Sequence, residues 1–280
     1  MPSIDYEVEY DNRARVPEHP QIFERWARNA AAYRAERGQA LSEMRYGLGP
    51  RQTLEIFPAL SAAGKPPLAL FIHGGWWRSL EPRMFSHLAR GANAHGVAVA
   101  VAGYDLCPNV AVADIIIQMQ RACALLWQRH GRRIPVFGWS AGAHLAAAMV
   151  ATDWRSLYPK APADLVPAGY GVSGVYDLTP LTSISVNQDL RLTPEEARRV
   201  SPLFWPVEAS RSFDVVVGGL EADEFKRQSR TLAETWRKAG ALTRYGEIAG
   251  VNHFTVVDAF ADPQSAMTAR VVELARSIKP

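Results

Sequence analysis

Gly138-Trp139-Ser140-Ala141-Gly142 decides how this chain is read. It follows the apolar run Ile134 to Phe137 (IPVF) and opens the alanine-rich stretch Ala141 to Ala151. An apolar run, then G-x-S-x-G, then a helix-forming stretch is the order of a strand, a cramped turn and a helix, with the serine at the turn. Glycine and serine frequencies alone would produce the bare pattern in about one chain of this length in ten, so its position carries the inference. Small residues beside Ser140 allow the tight turn, and the helix that starts there aims N–H groups and its positive dipole end at developing negative charge.

Outward from the turn, further short apolar runs alternate with stretches of helical periodicity. Leu68 to Ile72, Val97 to Ala102, Ala168 to Val172 and Phe213 to Val217 read as strands, apolar on both faces because helices cover both sides, and Thr243 to Ile248 reads as a further strand. Pro82 to His95, Val112 to His130, Ala141 to Ala151 and Ala222 to Ala239 read as helices; Ile115, Met119, Ala122 and Leu126 share one face. The alternation predicts an α/β fold with a mainly parallel central sheet and helices on both faces.

Two stretches break the alternation. Residues 1 to about 45 carry one amphipathic helix around Glu18 to Arg37 ahead of the first strand pair. Residues 176–206 form a Pro, Thr and Ser-rich insertion with a short helix at Pro194 to Arg199. Long connections in compact domains more often serve as lids than as idle loops. No repeat or linker divides the rest, so the expectation is a single domain over 1–280 with a small cap built from these two segments.

Composition narrows the partners. Lys plus Arg at 31 against Asp plus Glu at 28 leaves a net charge of +3, with basic residues scattered among acids, which argues against a nucleic-acid partner. No apolar run reaches the roughly eighteen residues of a membrane span, and MPSIDYEVEYDNR at the N-terminus is acidic where a secretory signal is basic. Cys107 and Cys123 are too few for a disulfide framework. The expectation is a cytoplasmic protein with no membrane partner, no metal site and no cofactor. A homodimer through a sheet edge or the N-terminal helix is left open.

A serine hydroxyl needs a base, and the base an orienting carboxylate, following Ser140 in the order acid then histidine. Of the histidines at 19, 73, 87, 95, 130, 144 and 253, only His253 lies downstream, in a loop after the strand Thr243 to Ile248. The acid belongs after the strand FDVVV, where Glu221, Asp223 and Glu224 compete. Glu221 stands at the strand end, whereas Asp223 and Glu224 suit the opening of the next helix as cap and dipole partner, which favours Glu221 over Asp223. His73-Gly74-Gly75-Trp76-Trp77 follows the strand Leu68 to Ile72, and glycines there let backbone N–H groups turn inward. Gly74, Gly75 and Ala141 are the expected oxyanion donors. Trp76, Trp77, Trp139, Tyr104, Tyr176 and Trp205 abut a motif or lie in the cap, and are the aromatics expected at a substrate pocket. Asn187 and Ser201 are the polar candidates in the cap.

These pieces resemble an α/β hydrolase, and within that fold the kynurenine formamidase (arylformamidase) family together with the hormone-sensitive-lipase-like esterases. The resemblance rests on HGGWW at 73–77, YDLCP at 104–108, GWSAGAHLAA at 138–147, YDLTPL at 176–181, RLTPEEARRVSP at 191–202, EADEFKRQS at 221–229 and NHF at 252–254. It implies a serine hydrolase that cleaves an aryl formamide, with N-formylkynurenine as reference substrate and formate and kynurenine as products. It also implies Ser140 as nucleophile, Glu221 as acid, His253 as base and the Gly74–Gly75 loop as oxyanion site. The chain departs from the animal enzymes with Glu221 in place of Asp, Trp76 as the first aromatic after HGG, and Asn252 in place of the Asp before the histidine. A carboxylesterase or amidase acting on small acyl esters or anilides is the alternative within enzymes. A hydrolase fold serving only as a binding module is the alternative outside them.

Overall fold

Strand after strand, side chains alternate between two apolar faces. In Leu68–Ile72, residues Leu68, Leu70 and Ile72 enter one core while Ala69 and Phe71 enter the other; in Ala98–Ala102, Ala98, Ala100 and Ala102 part from Val99 and Val101 in the same way. A period of two with both faces greasy makes a sheet covered on both sides. The structure is a computed structural model that describes residues 4–61 and 64–278; the first three residues of the acidic N-terminal stretch lie outside that set.

Eight strands form that sheet: β1 (Ser42–Arg45), β2 (Thr53–Phe57), β3 (Leu68–Ile72), β4 (Ala98–Ala102), β5 (Val136–Trp139), β6 (Ala168–Val172), β7 (Ser212–Gly218) and β8 (Leu242–Ile248). Their spatial order is β1-β2-β4-β3-β5-β6-β7-β8. β1 pairs antiparallel with β2, and β2 with β4; every later pair is parallel. Helices Val112–His130, Ala141–Ala151 and Asp223–Lys238 bury their apolar stripes on one face. His19–Arg37, Ala89–Ala94 and Ala266–Ser277 cover the other. Both cysteines are buried free thiols, and burial pushes the Cys107 thiol up to about 11.

The stretch expected as one helix over Pro82 to His95 divides into a 3-10 segment, Pro82–Leu88, and a short α-helix, Ala89–Ala94. Ser86 Oγ donates to the Arg83 carbonyl at 3.0 Å, taking up an acceptor three residues back, which suits the tighter winding. The first 40 residues hold more than the one expected helix. Tyr6–Tyr10 and Asn12–Arg15 precede His19–Arg37, capped by Asp5 and Asp11, whose carboxylates accept backbone N–H groups. Within 176–206 the chain winds into short helical turns, among them Asn187–Leu190 and Pro194–Arg199, the latter closed by a Thr193/Glu196 capping box. The two segments meet: Glu7 accepts from the Ser185 N–H at 2.7 Å and from its hydroxyl.

Candidate active site

The carboxyl ends of β3, β5, β7 and β8 converge, which is where open parallel sheets place their ligands. At the end of β5 the chain turns into the helix Ala141–Ala151 through Ser140, at φ 57° and ψ −121°, a backbone state that L-residues reach only under constraint. The flanking glycines explain how. A Cβ on Gly138 would lie 2.3 Å from the Gly142 carbonyl oxygen, and one on Gly142 would lie 2.0 Å from that of Ile72. Only bare backbone lets the helix start this close to β3.

Ser140 Oγ donates to His253 Nε2 at 3.2 Å, and His253 Nδ1 donates to Glu221 Oε2 at 2.7 Å. The carboxylate thereby assigns the tautomer, leaving Nε2 to accept from the serine. Glu221 is buried, and its other oxygen accepts from the Gly218 N–H at 2.6 Å and from the Ser173 hydroxyl. Asp223 cannot compete: its side chain is 97% exposed at the start of the following helix, 3.8 Å from Lys226. His253 packs against the rings of Phe225 and Trp139, and the Trp139 indole N–H donates to the His253 carbonyl at 2.8 Å.

The loop after β3 lies against the turn. A Cβ on Gly74 would stand 2.8 Å from the Trp139 carbonyl oxygen and 2.9 Å from Ser140 Cβ. Gly75 (φ 112°), Trp76 (φ 54°) and Trp77 (φ 55°) follow in the left-handed half of backbone space. Among the described residues, the amides of Gly74, Gly75 and Ala141 donate to no acceptor. His73 and Tyr104 support the loop from beneath. The His73 ring stacks between Phe85 and Tyr104, its Nδ1 donates to the Gly74 carbonyl at 2.6 Å, and the Tyr104 hydroxyl donates to the His73 carbonyl at 2.8 Å. Burial lowers the His73 pKa to about 3, so the ring is neutral.

A cavity of about 210 Å³ opens over Ser140 and His253. It lies below the usual ligand-pocket range of about 300–1,000 Å³, so it suits a small molecule. Among the described residues, no three His, Cys, Asp or Glu side chains are grouped to hold a metal ion, and no helix is long and apolar enough to cross a membrane.

The α/β hydrolase fold family matches residues 69–257 of the sequence. The chain belongs to that family. Among relatives, the kynurenine formamidase of Danio rerio is 28% identical over 243 residues, covering 84% of this chain and 82% of that protein; that of Salmo salar is 29% identical over 244 residues with the same coverage. A crystal structure from Silicibacter sp. TM1040, provisionally assigned as a thioesterase, superposes with a TM-score of 0.85 at 29% identity, covering 96% of this chain and 99% of that one. The chain is a hydrolase.

In this α/β hydrolase the aromatic expectations divide. Trp76 and Trp139 line the cavity. Trp77, Tyr104, Tyr176 and Trp205 do not. Trp77 is fully buried with its ring edge-on to His144, Tyr104 serves the His73 loop, and Tyr176 packs edge-on to Phe213. Trp205 lies on the surface of the core, its indole N–H held by the Arg199 carbonyl at 2.8 Å. Asn187 and Ser201 are also outside the cavity: Asn187 pins the Leu192 and Thr182 backbone, and Ser201 bridges the Leu178 N–H and the Ala197 carbonyl. The aromatic walls that sequence reasoning missed are Phe23 and Phe254. Phe254 was signalled by its place beside His253. Phe23 arrives on the N-terminal helix, together with Asn12 and Arg13 from the helix before it. Asp11, capping Ala14 N–H, was the available sign of that earlier helix.

Proposed function

We propose that this hydrolase cleaves an aryl formamide, of the N-formylkynurenine kind, or a related small aryl amide or ester, through an acyl-enzyme on Ser140. The observation that carries the reading is the relay from Glu221 through His253 to Ser140, at 2.7 and 3.2 Å, on the floor of a small aromatic-walled cavity. The curated relatives named kynurenine formamidase, 28% and 29% identical over most of the chain, support the formamide as substrate.

In this mechanism Ser140 Oγ gives its proton to His253 Nε2 as it attacks the formyl or acyl carbon. The carbonyl oxygen becomes an oxyanion facing the amides of Gly74, Gly75 and Ala141, where one well-placed donor lowers the barrier by about 3–4 kcal/mol. His253 Nε2–H then protonates the departing aniline nitrogen or alcohol oxygen as the carbon–heteroatom bond breaks. A water attacks the acyl-enzyme, its proton passing to His253, and release of the acid restores the Ser140 hydroxyl. Glu221 holds the imidazole's orientation through its hydrogen bond to Nδ1. The cycle runs on one domain capped by the N-terminal helices and residues 176–206, which the Glu7–Ser185 contacts join. Two buried free thiols suit a reducing cytoplasm.

A second reading, a carboxylesterase on small acyl esters, is favoured by the 29% identical Silicibacter structure provisionally assigned as a thioesterase. The same relay serves both, and pocket shape decides. Parallel assays of N-formylkynurenine and 4-nitrophenyl acetate separate them. A kcat/KM at least about a hundredfold higher for the formamide, a gap of about 2.7 kcal/mol, is the expected result; a higher value for the ester would overturn the formamide reading.

A further inference from the structure

Most polar groups on the cavity wall away from Ser140 are already committed. Glu7 accepts from Ser185, Asp11 accepts the Ala14 N–H at 2.9 Å, Arg78 pairs with Asp189, and Ser79 Oγ donates to the Gly75 carbonyl at 2.9 Å. Two neighbours are not. Asn12 lines the cavity at 4% exposure, and neither its carboxamide oxygen nor its nitrogen has a hydrogen-bond partner. Arg13 lines the same wall, exposed, and among the described residues forms no ion pair or hydrogen bond.

Buried polar side chains are paired in the large majority of cases, so a carboxamide nitrogen left open beside a reaction cavity is an exception that a ligand carrying an acceptor would account for. An amide N–H and a guanidinium lining one cavity are donors suited to a carboxylate, and the guanidinium fork makes the bond charge-assisted. We infer that Asn12 and Arg13 form a subsite for a carboxylate on the substrate, remote from the bond that breaks. The helix Asn12–Arg15 thereby makes the hydrolase selective for aryl substrates that carry a carboxylate. This rests on the hydrolytic reading above and adds to it the residues that hold a substrate's carboxylate.

The test reads binding without turnover, by quenching of tryptophan fluorescence, since Trp76 and Trp139 line the same cavity. Three probes share one aryl chain, 4-phenylbutyrate, 4-phenylbutanamide and 4-phenylbutylamine, with chromatography after each titration verifying that the amide is recovered intact. The full chain is expected to bind the carboxylate about tenfold more tightly than the amide, the scale of one charge-assisted hydrogen bond, and the amine weakest. Arg13→Gln and Asn12→Ala should each bring the carboxylate-to-amide ratio down to about threefold or less. Arg13 is exposed, so its variant keeps the fold. Asn12→Ala should melt within about 2 °C of the wild type because it removes no hydrogen bond, whereas a purely structural Asn12 would lower the melting temperature and leave the ratio intact. Equal binding of acid and amide, preference for the amine, or an unchanged ratio in both variants would overturn the subsite. A chain that prefers the carboxylate yet hydrolyses no aryl amide or ester would refute the proposed function alone.

Discussion

The indole N–H of Trp139 donates to the backbone carbonyl of His253 at 2.8 Å, so the residue before the serine fastens the loop that carries the imidazole. Two segments 114 residues apart are thus joined beside the Ser140–His253 contact. Trp139→Phe keeps an aromatic ring but removes the donor and one of the indole's two rings. A hydrogen bond of this kind contributes about 0.5–1.5 kcal/mol, so kcat should fall roughly three- to tenfold, and a rise in KM would report the ring lost from the cavity wall. Steady-state kinetics on the better of the two substrates measure it.

Glu221 and Asp223 give opposite expectations although they are two residues apart. Glu221→Gln preserves shape but removes the charge facing His253 Nδ1, and should lower kcat by about 10⁴-fold. Asp223→Asn changes an exposed side chain and should leave kcat/KM within about twofold. Comparable losses in both variants would reassign the acid.

Gly74→Ala tests the loop after β3. Its Cβ would come within 2.8 Å of the Trp139 carbonyl oxygen and 2.9 Å of Ser140 Cβ, so the loop must withdraw from the turn. Losing alignment of one oxyanion donor lowers kcat by about 10²–10³, and overpacking costs about 1–3 kcal/mol of stability. Kinetics and a denaturant melt on the same preparation read both effects.

Much of the fold is legible in the sequence because burial on both faces leaves apolar runs that need no partner to be recognised: Leu68 to Ile72 and Ala168 to Val172 appear in the structure with the same ends. The turn at Ser140 is equally local, since its glycines answer to clashes within five residues and with the next strand. The cavity wall is a different matter. Tyr10 donates to Glu224 at 2.8 Å across 214 residues, and this pairing seats the N-terminal helices over the site. No local pattern in residues 5–15 encodes it. The aromatics misled for a related reason. Trp76 and Trp77 both adjoin the HGG motif and share a positive φ, yet successive side chains leave the loop in different directions, Trp77 into the core and Trp76 to the cavity.

That difference yields a direct comparison. Trp76→Ala removes a cavity wall and should raise KM about tenfold, the scale of one lost aromatic contact. Trp205→Ala acts outside the cavity and should leave KM within about twofold.

Three buried histidines set the acid limit of stability. Burial lowers His73 to about 3, and His87 and His144 to about 4, against an ordinary value of 6.5. Between those limits the unfolded chain binds protons that the folded chain refuses. Their contribution is complete above about pH 6.5 and is lost as pH falls toward 4, each by up to about 1.4 kcal/mol per pH unit. Melting temperatures at pH 7.5, 6 and 5 should fall progressively, and His87→Leu should flatten the trend. A melting temperature constant over that range would contradict the account.

The central claim is that the Ser140 hydroxyl, activated by His253, carries the acyl group. Treating the protein with a fluorophosphonate and measuring intact mass, then mapping peptides, tests it most directly. The account predicts one adduct per chain, on Ser140, strongly reduced in His253→Ala and absent from a folded Ser140→Ala chain that has lost turnover. An adduct elsewhere, or a Ser140→Ala chain that hydrolyses at the wild-type rate, would contradict it.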